Sequence, residues 1–158
     1  MNKMFVFIAL LVGFGCTSKK EAPVDTTVAE KIALLKTDAA FSALSVEKGM
    51  KTAYIEYIDS NGVLLKPNEL PIMGARAIDY LIEQNDTGYT LNWQPQFAVV
   101  AKSADLGYTF GIYALHPANM DTVIYGSYVS IWKKQGDGKW KFVLNSGNEG
   151  IDTTGTDF

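Results

Sequence analysis

Along this chain the apolar positions recur first every three or four residues and later every second residue. Ile32, Leu35, Ala39 and then Ser42 or Ala43 keep helical spacing. Thr27 and Glu30 stand before them as T-x-x-E, a capping-box pattern, so a first helix is expected over about 28–44. Ser45 is placed to cap a second helical stretch, in which Met50, Ala53, Tyr54, Tyr57 and Ile58 continue the spacing. DSNG at 59–62 should stop it as a turn. VLLKP at 63–67 reads as a short strand, and Pro67 suits an edge or an end because it has no N–H for a ladder. A third helix is expected from near Gly74, with Ala77, Ile78, Leu81 and Ile82 on its apolar face and Arg76, Asp79 and Glu83 in water.

From Tyr89 the period is two. YTLNWQPQFAVVAKS is long and carries Pro95 near its middle, which predicts a bend or bulge. DLG at 105–107 should turn the chain into YTFGIYALH, and HPANMDTV at 116–123 reads as a loop. YGSYVSIWKK and KWKFVLNSG flank QGDG, a hairpin signal. Helices followed by antiparallel strands predict an α+β domain over 28–150, with three N-terminal helices on a strongly curved antiparallel sheet. Such an arrangement is hollow at one end.

Alternation assigns faces. Tyr128, Ser130 and Trp132 share one; Trp140, Phe142 and Leu144 share another, with Lys141, Val143 and Asn145 opposite. Tyr108, Phe110, Ile112 and Ala114 alternate with Thr109, Gly111, Tyr113 and Leu115. Phe41, Tyr54 and Tyr57 point from the helices toward the sheet, and Trp93 precedes the bend. These rings either fill the core or line a pocket for an apolar or aromatic small molecule. In the second case the ligand-binding set is Phe41, Tyr54, Tyr57, Trp93, Tyr108, Tyr113, Tyr128, Trp132 and Asn145, with tyrosine hydroxyls and Asn145 orienting the ligand.

Ahead of the first helix, Lys3, an apolar run over 4–14 and Gly15 precede Cys16, the single cysteine. This resembles a bacterial lipoprotein signal over 1–15, cut just before a cysteine that carries lipid. The resemblance implies a membrane partner through lipidated Cys16 and an address in the cell envelope. Thr17, rather than Asp, after the cysteine favours the outer membrane. Residues 16–27 read as a flexible tether and 151–158 as a disordered tail. One cysteine forms no internal disulfide, so the fold rests on its core.

The hydrophobic share is 47% and the charged share 20%, an ordinary globular balance with room for one domain. Net charge of −3 gives no basic footprint for nucleic acid. One cysteine and one histidine offer no metal-ligand spacing, and no phosphate-binding glycine loop joins a strand to a helix. No cofactor is expected.

LLKTDAAFSALSVEKGM, DLGYTFGIY and YVSIWKKQGDGKWKFVLNSGN resemble a bacterial secreted group, of unknown function, within the nuclear-transport-factor-two-like (NTF2-like) superfamily. The likeness covers about 29–148. It implies a cone of helices and bent sheet with a pocket between them, often as a homodimer through the sheet. It carries no chemistry of its own, because the superfamily hosts isomerases, dehydratases, binders and assembly domains. Ketosteroid isomerase needs a carboxylate base just before a proline, and here Lys66 stands before Pro67. A lysine there is a cation and is expected in solvent, which disfavours that mechanism. His116, before Pro117, is expected in a surface turn. Asp38 lies off the face of Ile32, Leu35 and Ala39, which implies exposure or a role capping a neighbouring element. No catalytic residue is assigned. The expectation is a lipid-anchored envelope domain that binds a ligand. The alternatives are a metal-independent lyase or isomerase, and a homodimeric interaction module.

Overall fold

The computed structural model describes residues 26–150. The lipoprotein signal, Cys16, the tether up to residue 25 and the 151–158 tail lie outside the described residues. The first helix, α1, runs Thr26–Lys48, longer at both ends than its spacing suggested. Thr27 is therefore inside the helix, and Glu30 reaches the sheet, accepting from Lys134 Nζ at 2.6 Å. Because α1 continues past Ser45, that hydroxyl caps nothing; it donates to Leu91 O at 2.7 Å. The second helix, α2, is Met50–Tyr57. Gly49 joins the two helices at φ 87°, a backbone region that glycine enters without a Cβ clash. Its lack of a side chain leaves the α2 N-terminus to a distant cap, Asp86, whose Oδ2 accepts from Lys51 N at 2.8 Å.

The first strand, β1 (Ile58–Leu65), absorbs DSNG instead of stopping before it. The turn chemistry survives as an irregularity: Asn61 N donates to Asp59 Oδ1 at 2.8 Å, and the register shifts between Ile58 and Val63. A short β2 (Ile72–Met73) and α3 (Ala75–Glu83) follow. Then come β3 (Tyr89–Val100), β4 (Leu106–Pro117), β5 (Ile124–Lys134) and β6 (Trp140–Glu149). The bend expected at Pro95 is present as a register shift between Pro95 and Phe97, and QGDG closes the β5–β6 hairpin. The turn before β4 falls earlier than DLG, so Leu106 and Gly107 already belong to the strand.

The sheet order is β2-β1-β6-β5-β4-β3. Two expectations need correction. The third helix is not N-terminal to the strands, since β1 and β2 precede it. The sheet is mixed, because β1 lies parallel to β6. A strand entering beside the last one from a preceding helix has no hairpin to force it antiparallel.

The face of α1 is also different. Leu34, Asp38, Phe41, Ser42 and Ser45 are buried, whereas Ile32 is 51% exposed. The polar members of this face meet the free edge of β3. Ser42 Oγ accepts from Trp93 N at 2.8 Å, and Ser45 takes the Leu91 carbonyl. The helix thus covers an edge strand and satisfies backbone groups that would otherwise invite another strand. Phe41 sits at the centre of the core, with its ring centroid 4.5 Å from that of Trp93, 4.9 Å from Tyr54 and 5.6 Å from Phe142.

Candidate functional site

Between α2, the end of β1 and the inner face of β3–β6 lies a cavity of about 180 Å³. Each wall is placed by a different element: Tyr54 by α2, Trp93 by β3, Tyr113 by β4, Tyr128 by β5 and Asn145 by β6. Lys66 closes it beyond the last residue of β1, and Glu149 stands at its exposed end. Small residues make room for the rings. Gly126 faces Tyr113 across the β4–β5 ladder, and a Cβ there would lie 2.3 Å from Tyr113 Cζ. Asn145 points inward because of a bulge. Ile131 pairs with Leu144 but Trp132 with Phe142, so Val143 is an extra residue that reverses the alternation.

Behind the cavity wall is a buried carboxylate. Asp38 has no exposed surface; its Oδ1 accepts from Trp93 Nε1 at 2.8 Å and its Oδ2 from Tyr128 OH at 2.7 Å. Burial pushes its pKa above the usual carboxylate value; the bonds from Tyr128, Trp93 and Thr109 work in the opposite direction and do not cancel it. Tyr128 is held above the usual tyrosine range by burial and then by the Asp38 charge, so its phenol keeps its proton. A second chain of bonds runs from Tyr54 OH to Asn145 Oδ1 (3.1 Å) and from Asn145 Nδ2 to Ser130 Oγ (2.9 Å). Burial raises Tyr54 as well. The rings are therefore neutral hydrogen-bonding groups throughout the neutral pH range.

Five of the nine residues proposed as a ligand-binding set line this cavity: Tyr54, Trp93, Tyr113, Tyr128 and Asn145. Four do not. Phe41 lies behind Tyr54 and Trp93, 1% exposed. Trp132 is fully buried, with Nε1 donating to Thr109 Oγ1 at 2.8 Å. Tyr57 is on the far side of Phe41, where Lys141 Nζ lies 6.0 Å from its ring centroid. Tyr108 is on the outer face of the sheet, 41% exposed, because buried Gly107, Thr109 and Gly111 hold the inner positions of β4. His116 is exposed at the end of β4, next to lining residue Leu115, and alternation turns it outward.

Two expectations are overturned. Asp38 is inside and serves the core. Lys66 is half-buried on the cavity wall, with Nζ 5.5 Å from the Tyr54 ring centroid. Spacing could pair Lys66 with Leu64, two residues earlier, but that Leu64 faces inward is shown only by its burial in the structure. Nothing in the helical periodicity signalled Asp38, because that pattern assumes a charged residue points outward.

Neither a protein-family model nor a curated protein matches the chain. Solved structures do. A cystatin-like domain of unknown function from Nostoc punctiforme superposes with a TM-score of 0.65 at 11% identity, over 81% of this chain and 82% of that one. An NTF2-like protein with a cystatin-like fold from Novosphingobium aromaticivorans gives 0.60 at 15% identity, over 76% of this chain and 82% of that one. This is the NTF2-like fold. A ketosteroid isomerase-like protein from Erwinia carotovora atroseptica superposes with a TM-score of 0.56 at 14% identity, over 74% of this chain and 94% of that one. A hexachlorocyclohexane dehydrochlorinase from Novosphingobium barchaimii gives 0.55 at 18% identity, over 80% and 92%. At these identities the likeness is one of fold, and a fold by itself does not fix a function. Among the described residues, no three of His, Cys, Asp and Glu converge as metal ligands, and no helix is long and apolar enough to cross a membrane.

Proposed function

We propose that this chain is a lipid-anchored protein of the bacterial envelope whose NTF2-like domain binds a small apolar or aromatic molecule in the cavity, without turning it over. The observation that carries this reading is the lining itself. Aromatic rings from four elements converge on one space and present neutral hydroxyl and amide groups. A volume of about 180 Å³ is of the same order as a cavity that holds benzene, roughly 150 Å³. Native mass spectrometry of the full chain, extracted in detergent from its own host, tests it. A bound organic molecule of ring size is expected. Chain that is always empty, and that takes up no ring-sized compound from a panel, would end the reading.

The anchor is tested separately. Radiolabelled palmitate should enter the wild-type chain and not Cys16→Ser, which should leave the membrane fraction. Equal labelling and fractionation of the two would remove the lipoprotein assignment.

Two specific observations support alternatives. The Asp38–Tyr128 pair, immediately behind the cavity wall, favours a metal-independent lyase or isomerase. The fold likeness to the isomerase-like protein and the dehydrochlorinase is compatible with that. Conversion of the co-purified molecule by wild type but not by Asp38→Asn would establish it. On the outer sheet face Phe97, Leu106, Tyr108, Phe110 and Val129 are exposed to between 37% and 54%, an apolar surface suited to a second copy of the chain. Light scattering should then give a dimer for wild type and a monomer for Phe110→Lys. A wild-type monomer would exclude the homodimer.

A further inference from the structure

Lys66 is the one cation among the described residues that line the cavity. Among the described residues its ammonium makes no ion pair and no hydrogen bond; its nearest described companion is the face of Tyr54, 5.5 Å away. The nearby acids are otherwise placed. Glu69 is exposed and accepts from Tyr80 OH at 3.3 Å. Glu149 is at the exposed end of the cavity, and both oxygens of Asp38 are taken by Trp93 and Tyr128. Burial disfavours the charged lysine, and the charge of Glu69 only partly offsets this. A half-buried ammonium that is compensated only by the Tyr54 face and, in part, by the charge of exposed Glu69 is an unfavourable arrangement on its own. An anion entering the cavity relieves it.

Resting on the reading that the cavity binds a ligand, we propose that the ligand is a small monocarboxylate with an apolar, ring-sized body, its carboxylate paired with Lys66. The rest of the wall fits this chemistry. Leu91, Leu115 and Trp93 offer apolar surface to the body. The hydroxyls of Tyr89 and Tyr113 have no hydrogen-bond partner among the described residues and are available as donors. Burial raises the pKa of both, so they remain protonated donors. A dianion or a phosphate would exceed the single charge of Lys66 and would face Glu149.

The test is calorimetric titration of the detergent-solubilised full chain with benzoate and with benzamide, a neutral molecule of the same shape. Wild type should bind benzoate at least ten-fold more tightly, and added salt should weaken benzoate alone. Lys66→Met should lower benzoate affinity ten-fold or more and leave benzamide within two-fold, while Lys66→Arg should recover most of the benzoate affinity. Circular dichroism checks that each variant is folded. Equal affinity for the two probes, or benzoate binding unchanged in Lys66→Met, would overturn the carboxylate proposal and leave cavity binding intact. Failure of both probes to bind would overturn both.

Discussion

Asp38→Ala should lower the unfolding free energy by about 2–4 kcal/mol, measured by urea denaturation. The charge state of Asp38 does not change the direction. Ionised or neutral, it accepts from Trp93 Nε1 and Tyr128 OH, and alanine leaves these two donors, with the Thr109 hydroxyl, facing a void. An unsatisfied buried donor costs about 1–3 kcal/mol, and relief of carboxylate desolvation returns part of that. Asp38→Asn keeps one acceptor but turns an amide N–H₂ toward a donor, so a loss of about 1–2 kcal/mol is expected. In a double-mutant cycle with Tyr128→Phe the two changes should be non-additive by more than about 0.5 kcal/mol, since they remove the same bond. Additive losses would mean that the bond contributes nothing.

The pH dependence of the same residue has a definite sign. Burial holds Asp38 above 3.8 in the folded chain, so the native state takes up its proton before the unfolded state does. Its contribution is fully present below 3.8 and is lost as pH rises through the folded value. The stability advantage of wild type over Asp38→Asn should therefore widen as pH falls from neutral toward 3.8. Comparison at matched pH cancels the other carboxylates. An advantage that shrinks on acidification would show that the three donors outweigh burial.

Phe41→Ala should cost about 3–5 kcal/mol. The ring is 1% exposed and meets five others, at centroid separations from 4.5 Å to Trp93 to 6.0 Å to Trp132. Its removal opens a void that α1, held to β3 by Ser42 and Ser45, is poorly placed to close. Trp93 and Tyr54, which both rest on Phe41, also line the cavity, so ligand affinity should fall together with stability. Phe41→Leu keeps most of the volume and should cost under about 1.5 kcal/mol. Equal melting temperatures for the alanine variant and wild type would remove Phe41 from its central place.

The elements legible before the structure were those whose cause is local. The Met50–Tyr57 helix, the Ala75–Glu83 helix, the QGDG hairpin and the break near Pro95 each follow from short-range spacing or from a residue with restricted geometry. Which residues share a face of β4 and of β5 also followed from alternation, Tyr128, Ser130 and Trp132 together and Tyr113 on the side of Thr109; which β4 face is inner did not, since the expected ligand-binding set holds both Tyr108 and Tyr113. Asn145 reached the cavity by a route alternation forbids. The extra residue Val143 exists only relative to β5, so no reading of β6 alone could place it.

By itself, the sequence determined the α+β class, the sites of the helices, the QGDG hairpin and the aromatic supply of the cavity. Only the tertiary structure decided which face of α1 is inside, where Lys66 points, that β1 runs parallel to β6, and which rings stay in the core. The division has a physical reason. Spacing and turn chemistry act between neighbours along the chain. The burial of Asp38 depends on an indole and a phenol 55 and 90 residues away, and becomes tolerable only when the fold brings them together.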